Sequence, residues 1–403
     1  MIGLAHKIIL YPDQQGDAHF RRAAGIARFA WNWALARWKA KYEAGERGMS
    51  GYSLVKEFNA IKASDFPWTS EVTKWAPQKS IQNLGDAFVR FFGKLSRYPR
   101  FKKKGIAKDT FYLGVGDFDV EGKAIRVPKL GWVPMGQEVR FPGTIKSVTV
   151  SREADGWYAS FSVDIDEAQW TYPHRCETQA EVGIDLGITS TITLSSGSKL
   201  LLPRSLEILY RKIRRAQQSL SRMVKGSRNR EKAKEALGLL WLRVRRIRHA
   251  WTHFVTARLV RAYRRIGMET LNVKAMTKLR SLARRIGEAC WGEIRRQLIY
   301  KTALAGGDLF LADRFYPSTK TCSGCGHPLE GISLGVRSWA CPACGAGHDR
   351  DVNASINLKP SNIVARARRW ETLNACGGAV SRRSEGSALA AAAPAKQEPD
   401  EDC

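Results

Sequence analysis

The amino-acid sequence predicts a multidomain α/β protein, on three observations. Hydrophobic periodicity changes along the chain from helical stripes to two-residue alternation, and then to short strands separated by long helices. Three acids, Asp185, Glu269 and Asp351, each end a strand-like segment (EVGIDLGIT, METLNVKAM and HDRDVNAS). Four cysteines, Cys322, Cys325, Cys341 and Cys344, fall between the second and third acid as two C-x-x-C pairs. Acids so far apart in sequence can meet only if a sheet aligns the ends of their strands. The product would be a carboxylate cluster that binds divalent metal.

Residues 4–12 (LAHKIILYP) read as a strand. A long helix follows from about His19 to Gly45, with Ala24, Ala27, Trp31, Leu35, Trp38 and Tyr42 at three-to-four spacing. Pro77 suits a helix start, and Ile81, Leu84, Phe88, Phe91 and Leu95 form its stripe. These aromatic residues are assigned to packing rather than to base stacking. The run Arg97–Lys104 (RYPRFKKK) breaks the pattern as an exposed basic knot suited to phosphate. From about 110 to 170 the period becomes two. Val148 and Val150 precede an Asp155-Gly156 turn, and Trp157, Ala159, Phe161 and Val163 follow it. A second turn is expected at Glu121-Gly122. The result is a small antiparallel β domain interrupted by the helices of 13–105, with a linker over Asp164–Gln179.

From 181 three strands lead into two long helices, with stripes Leu206-Leu209-Ile213-Ala216-Leu220-Met223 and Ala233-Leu237-Leu240-Val244-Ile247-Trp251-Phe254, turning at Gly226-Ser227. Their outer faces carry Arg211, Arg215, Arg243, Arg246 and Arg248, among others. The tail from Gly377, rich in Ala, Ser and Gly, is expected to be disordered.

Charge narrows the partners. Among 403 residues, 66 Lys+Arg against 38 Asp+Glu leave a net charge of +28, and a surplus of that size calls for a polyanion such as a phosphate backbone. No apolar run approaches the roughly 18 residues that would span a bilayer, and no signal-peptide pattern opens the chain. A cytoplasmic, nucleoid-associated protein without a membrane partner is therefore expected. Eight cysteines in a chain lacking an export signal favour metal over disulfides. Cys176, Cys290, Cys376 and Cys403 are scattered and carry no motif.

Asp185, in Val182-Gly183-Ile184-Asp185-Leu186-Gly187, ends an apolar strand. It suits the first strand of a ribonuclease-H-like sheet, with Gly187 letting backbone approach substrate. The same string also opens actin-like ATPases, and alone it does not separate the two. Glu269 stands in an otherwise apolar strand, where an acid is costly unless paired or metal-bound; taken alone, it reads more readily as a residue of an exposed edge. Cys322-x-x-Cys325 and Cys341-x-x-Cys344 have the spacing of one tetrahedral, closed, structural Zn²⁺, with Gly324, Gly326 and Gly345 supplying the turns. His327 and His348 read as surface polar residues, with substitution as ligands the lesser alternative. Asp351 lies just before a probable helix, where an Asp can also be an N-cap, as can its neighbour Asp349. Together Asp185, Glu269 and Asp351 can hold two Mg²⁺ for in-line attack of water on phosphorus.

These residues resemble the TnpB family of transposon-encoded RNA-guided nucleases, related to type V CRISPR effectors. The resemblance rests on Asp185 in GIDLG, Glu269 in E-x-L-N-V-K-x-M, Pro317-Ser318-x-Lys320-x-Cys322-Ser323-x-Cys325-Gly326, Cys341-Pro342-x-Cys344-Gly345 and Asp349-Arg350-Asp351-x-Asn353-Ala354. Pro99-x-Phe101-Lys102-Lys103-Lys104 and Thr372–Gly377 extend it nearly end to end. It implies a β-barrel wedge domain over 1–12 and 106–177, and a helical recognition domain over 13–105. It also implies a RuvC-like nuclease domain over 178–376 with a zinc ribbon at about 315–348, and a tail over 377–403. It implies a guide RNA from the transposon end and a double-stranded DNA target, with sequence read by base pairing. The choice of Asp351 over Asp349 rests on the resemblance. Two departures stand out. The family's Arg-x-x-Phe-x-His-Lys reads here Arg248-x-x-Trp251-x-His253-Phe254, without the lysine, and the lid expected at Leu279–Trp291 matches weakly. The rival functions are a guided DNA-binding protein that does not cut, an ATPase, and a strand-transfer transposase. The ATPase should show a second phosphate loop and a near-neutral surface, and the transposase lacks a tyrosine or serine recombinase arrangement.

Overall fold

Two-residue alternation builds the sheet of the first of two compact units, 1–170 and 171–403. The computed structural model describes residues 2–169, 172, 180–279, 282–329 and 335–365. The tail, the Thr372–Gly377 string, most of the expected linker, and Cys176, Cys376 and Cys403 lie outside the described residues.

The first unit runs β1 (Ile2–Leu10), α1 (Gln14–Glu43), α2 (Gly51–Asp65), α3 (Trp75–Phe92), β2 (Thr110–Gly114), β3 (Asp119–Glu121), β4 (Ala124–Val127), β5 (Gly131–Pro134), β6 (Thr144–Glu153) and β7 (Gly156–Ile165). An antiparallel sheet has the order β1-β7-β6-β2, and β3-β4-β5 form a meander. The Tyr11 amide donates to the Pro134 carbonyl and the Gly136 amide to that of Ile9, both at 2.9 Å, joining the meander to β1. Ile8, Leu10, Val148, Val150, Trp157, Ala159, Phe161 and Val163 form the core with Phe20 of α1.

Asp13 caps α1, accepting from the Gly16 amide at 2.7 Å. The helices pack through Leu35, Trp38, Leu54, Phe58, Leu84 and Phe88, with Trp38 stacked on Phe88 at 4.0 Å. Between the two expected helices lies α2, whose start is fixed by a Ser50–Ser53 capping box. The apolar stripe of α3 stops short of Leu95, because Lys94 adopts a left-handed φ of 59° and ends the helix. Leu95 is consequently 82% exposed, and Tyr42 is also exposed. The basic knot is fastened to α1: the Trp31 indole donates to the Arg100 carbonyl at 2.9 Å, and Asn32 brackets the Lys102 backbone at 2.7 and 2.9 Å. The Lys102 ammonium lies 4.0 Å from the Trp31 ring centroid.

The second unit runs β8 (Glu181–Asp185), β9 (Ile192–Leu194), β10 (Lys199–Leu200), α4 (Ser205–Arg222), α5 (Arg228–Ala262), β11 (Arg265–Glu269), α6 (Val273–Met276), α7 (Ala283–Glu288), α8 (Trp291–Leu304), β12 (Asp308–Ala312), β13 (Ser338–Ala340), β14 (Gly347–Asp349) and α9 (Arg350–Asn357). Its sheet has the order β10-β9-β8-β11-β12, with β8, β11 and β12 parallel and the outer pair antiparallel. Val182, Ile184, Ile266 and Met268 bury one face against Val255 and Leu259 of α5 and Ile294 and Leu298 of α8. Gly183 and Gly267 alternate with them and face α9. A Cβ on Gly183 would lie 1.8 Å from the Ser355 carbonyl oxygen, and one on Gly267 would lie 1.9 Å from that of Leu358.

In the α4–α5 hairpin, Ser227 caps α5, and Leu206, Leu209, Ile213 and Val244 close the seam. Ala216, Leu220 and Met223 are only half-buried. Two sequence assignments change. Phe254 is 63% exposed rather than in the seam. Arg248 turns inward, donating to Cys290 Sγ at 2.9 Å and to the Gly287 carbonyl. No described helix is long and apolar enough to cross a membrane.

Candidate active site and metal centre

Parallel pairing of β8 and β11 sets Ile184 beside Met268, so the next residues, Asp185 and Glu269, emerge together at the carboxyl ends of the two central strands. The Leu186 amide donates to Glu269 Oε1 at 3.3 Å. Asp351 arrives in the first turn of α9, the helix seated on Gly183 and Gly267. Capping of α9 falls to Asp349, whose carboxylate accepts from the amides of Asp351 (3.1 Å) and Val352 (3.0 Å) and pairs with Lys199 at 2.8 Å. Asp351 is left uncommitted to the cap. Arg337, between the cysteine pairs, sets its guanidinium 3.6 Å from the Asp351 carboxylate. Nothing in the sequence marked it beyond its place in that loop. Gly187 approaches the Ser190 carbonyl of its own turn, where a Cβ would sit at 2.7 Å. This tight turn gives the glycine a structural reason of its own.

The electrostatics of the site follow from convergence under burial. Burial, and then the charges of Glu269 and Asp351, push the Asp185 carboxyl well above its ordinary range. Burial raises Glu269 to about 7, against the opposing pull of the Leu186 amide. Burial also works to raise Asp349, but Lys199 and the α9 amides outweigh it and hold Asp349 below its usual value. Asp185 and Glu269 resist ionisation in the bare protein, and with Asp351 they form an all-oxygen donor set that added positive charge would stabilise. That set fits a hard divalent cation such as Mg²⁺. A cavity of about 50 Å³ beside Glu269 is lined by Leu186, Met268, Leu271, Trp291 and Arg295, among others.

The sulfurs of Cys322, Cys325, Cys341 and Cys344 all lie within 4.8 Å of one another. The Cys322–Cys344 and Cys325–Cys341 separations are 3.8 and 3.6 Å. A tetrahedral Zn²⁺ with its usual bond to sulfur has an S···S edge of about 3.8 Å, so the four thiolates fit zinc. The Gly326 and Gly345 amides close the knuckles onto the Cys322 and Cys341 carbonyls at 2.9 and 2.8 Å. His348 is more than a surface residue: its Nε2 lies 3.2 Å from Cys322 Sγ, and its ring packs on Trp339. The two sites are mechanically joined. Asn353 of α9 accepts from the Ser323 amide and donates to the Thr321 carbonyl, both at 2.8 Å, while Asn357 donates to the Ser318 and Thr321 carbonyls.

The fold is thus multidomain α/β with a RuvC-type domain, and comparison with known proteins places the chain within that class. Three family profiles match: “Probable transposase” (OrfB_IS605) over residues 160–280, the Cas12f1-like TNB domain over 291–358, and a helix-turn-helix domain of OrfB_IS605 over 1–47. In the structure, residues 2–43 form one strand and one 30-residue helix. Two relatives share the name “Putative RNA-guided DNA endonuclease”. One, from Streptomyces pristinaespiralis, is 34% identical over 98% of this chain and 96% of its own. The other, InsQ of Escherichia coli K12, is 31% identical over 88% and 91%. The chain belongs to the TnpB family. A Cas12f1–sgRNA–target DNA complex has a protein chain of like fold, with a TM-score of 0.52 at 13% identity, covering 86% of this chain and 83% of that one.

Proposed function

We propose that the protein is a transposon-encoded, RNA-guided DNA endonuclease that hydrolyses phosphodiester bonds with Asp185, Glu269 and Asp351. The observation that carries this reading is the convergence of three acids from β8, β11 and α9, two of them with carboxyls driven upward by burial. The three would hold two Mg²⁺. Such ions supply an activated water and stabilisation of the leaving oxygen. Arg337, at the edge of the cluster, brings one cation to the place where phosphate charge must be balanced.

In this reading a wedge domain (1–12 and 106–177) carries a helical recognition insertion (13–105). The RuvC-like domain spans 178–376 with its zinc ribbon at about 315–348. Cys322, Cys325, Cys341 and Cys344 hold one structural Zn²⁺ and take no part in the chemistry. Guide RNA from the transposon end and double-stranded target DNA are the partners, and the net charge of +28 supports both. The alternative is a guided binder that does not cut, and retention of all three acids favours the nuclease.

The test is purification with co-expressed transposon-flanking RNA, followed by incubation with a plasmid carrying the matched target and Mg²⁺. Linearisation that requires the guide is expected. Guide-dependent binding without cutting would leave the binder.

A further inference from the structure

A second group of metal-ligating side chains lies away from the three acids and the four cysteines. His249 and His253 are four residues apart on α5, a spacing that puts both imidazoles on one face of a helix. Their Nε2 atoms are 3.2 Å apart. A Zn²⁺ bound to two imidazoles at its usual bond length and tetrahedral angle has an N···N edge of about 3.4 Å, so the pair already stands at chelating separation. Glu293, in the first turn of α8, completes a cluster whose ligand atoms all lie within 4.8 Å of one another.

The surroundings hold the Glu293 carboxylate and the backbone at His253 in place. Arg296 donates to both Glu293 oxygens at 2.6 and 2.8 Å, and Gln297 donates to Oε1 at 2.7 Å. Among these contacts Oε1 receives two donors and Oε2 one, so Oε2 keeps a lone pair for a ligand bond. The Lys301 ammonium donates to the His253 carbonyl at 3.0 Å and to Thr256 Oγ1 at 2.7 Å, and Thr256 in turn donates to Gln297 at 2.9 Å. Outer hydrogen bonds of this kind orient ligands in metal centres. The positive charges of Arg296 and Lys301 disfavour a hard ion held by charge alone. Imidazole donors instead select the borderline metals.

We propose that His249, His253 and Glu293 form a third cation site, specific for imidazole-preferring divalent transition metals such as Zn²⁺. It ties α5 to the first turn of α8. The same turn of α8, through Trp291, Gly292 and Arg295, lines the cavity beside Glu269. Occupancy would therefore brace the wall of that cavity.

The test uses the full-length, untagged protein with its cysteine site loaded and excess Mg²⁺ present. Equilibrium dialysis against Zn²⁺, with metal counted by mass spectrometry, should find one further Zn²⁺ per chain in the wild type. His249→Ala should lose it, and Glu293→Gln should weaken it by at least tenfold. Added Zn²⁺ should also raise the unfolding temperature of the wild type but not that of His249→Ala. His249 is exposed, so this variant should fold normally, and His249→Gln provides a second variant of similar size. Equal Zn²⁺ uptake by the wild type and both His249 variants would overturn the proposal, as would no uptake beyond the cysteine site.

Discussion

Gly183→Ala tests whether the seating of α9 sets the active site. The added Cβ would stand 1.8 Å from the Ser355 carbonyl oxygen and 2.7 Å from the Lys359 amide nitrogen, both backbone atoms that cannot rotate away. Ordinary contact begins near 3.4 Å, so α9 must retreat by about 1.6 Å (3.4 − 1.8). Overpacking of this kind costs about 1–3 kcal/mol, and sometimes more. For a unit of this size that is a fall of roughly 3–10 °C in unfolding temperature. The same retreat carries Asp351 away from Asp185, and a misplacement of about 1 Å can lower a rate by about 10². Calorimetry and single-turnover cleavage with bound guide should record both losses, with target binding retained. Gly25→Ala in α1, whose added Cβ would meet nothing closer than the Arg28 side chain at 3.8 Å, serves as the control and should lower neither. A Gly183→Ala protein as stable and as fast as the wild type would refute the reasoning.

Further expectations concern charge and metal. The folded-state pKa of Glu269, about 7, lies above its ordinary 4.5. The stability tied to this group is therefore fully present below about 4.5 and is lost as pH rises through 7 in the metal-free protein. Mg²⁺ should raise the unfolding temperature more at pH 8 than at pH 5.5, and its binding should release protons between those values. Equal shifts at both would contradict this assignment. Asp185→Asn removes a buried charge crowded by Glu269 and Asp351, so the metal-free variant should melt higher than the wild type while losing Mg²⁺-induced stabilisation in the same assay. Cys322→Ser should lose the zinc measured by mass spectrometry and, through the Thr321, Ser323 and Asn353 hydrogen bonds to α9, most of the cleavage rate. Cutting retained after measured zinc loss would argue against a structural zinc. Asn353→Ala should cost about 1–3 kcal/mol by taking the side-chain acceptor from the Ser323 amide and one of the donors from the Thr321 carbonyl, measured as a lower unfolding temperature with zinc retained.

Much of the architecture was legible because its signals are local. Alternation at Trp157–Val163 and the turn glycines at 122 and 156 specify β strands whatever surrounds them. The paired C-x-x-C spacing likewise brings its four sulfurs together. What escaped depends on partners far away in sequence. The Gly183–Ser355 contact joins a strand to a helix that follows the cysteine cluster, and no pattern around Gly183 announces it. Arg248 reads as one more exposed guanidinium until α7 and Cys290 supply its acceptors. Leu95 and Phe254 continue apolar stripes, but Leu95 lies past the left-handed Lys94 that stops its helix, and Phe254 faces solvent in a helix that runs on beyond its neighbour. The roles of Asp349 and Asp351 were ambiguous for a different reason. Either could cap α9, and only backbone geometry assigns the cap to Asp349.

The central claim is that Asp185, Glu269 and Asp351 cut DNA as one centre. The most direct test is single-turnover cleavage of a matched target by guide-bound Asp185→Asn, Glu269→Gln and Asp351→Asn, with target affinity measured in parallel. Each variant should bind as the wild type does and cut at least about 10³-fold more slowly, as expected when one member of a catalytic unit is removed. Cleavage near the wild-type rate by any one of them, at unchanged affinity, would contradict the account.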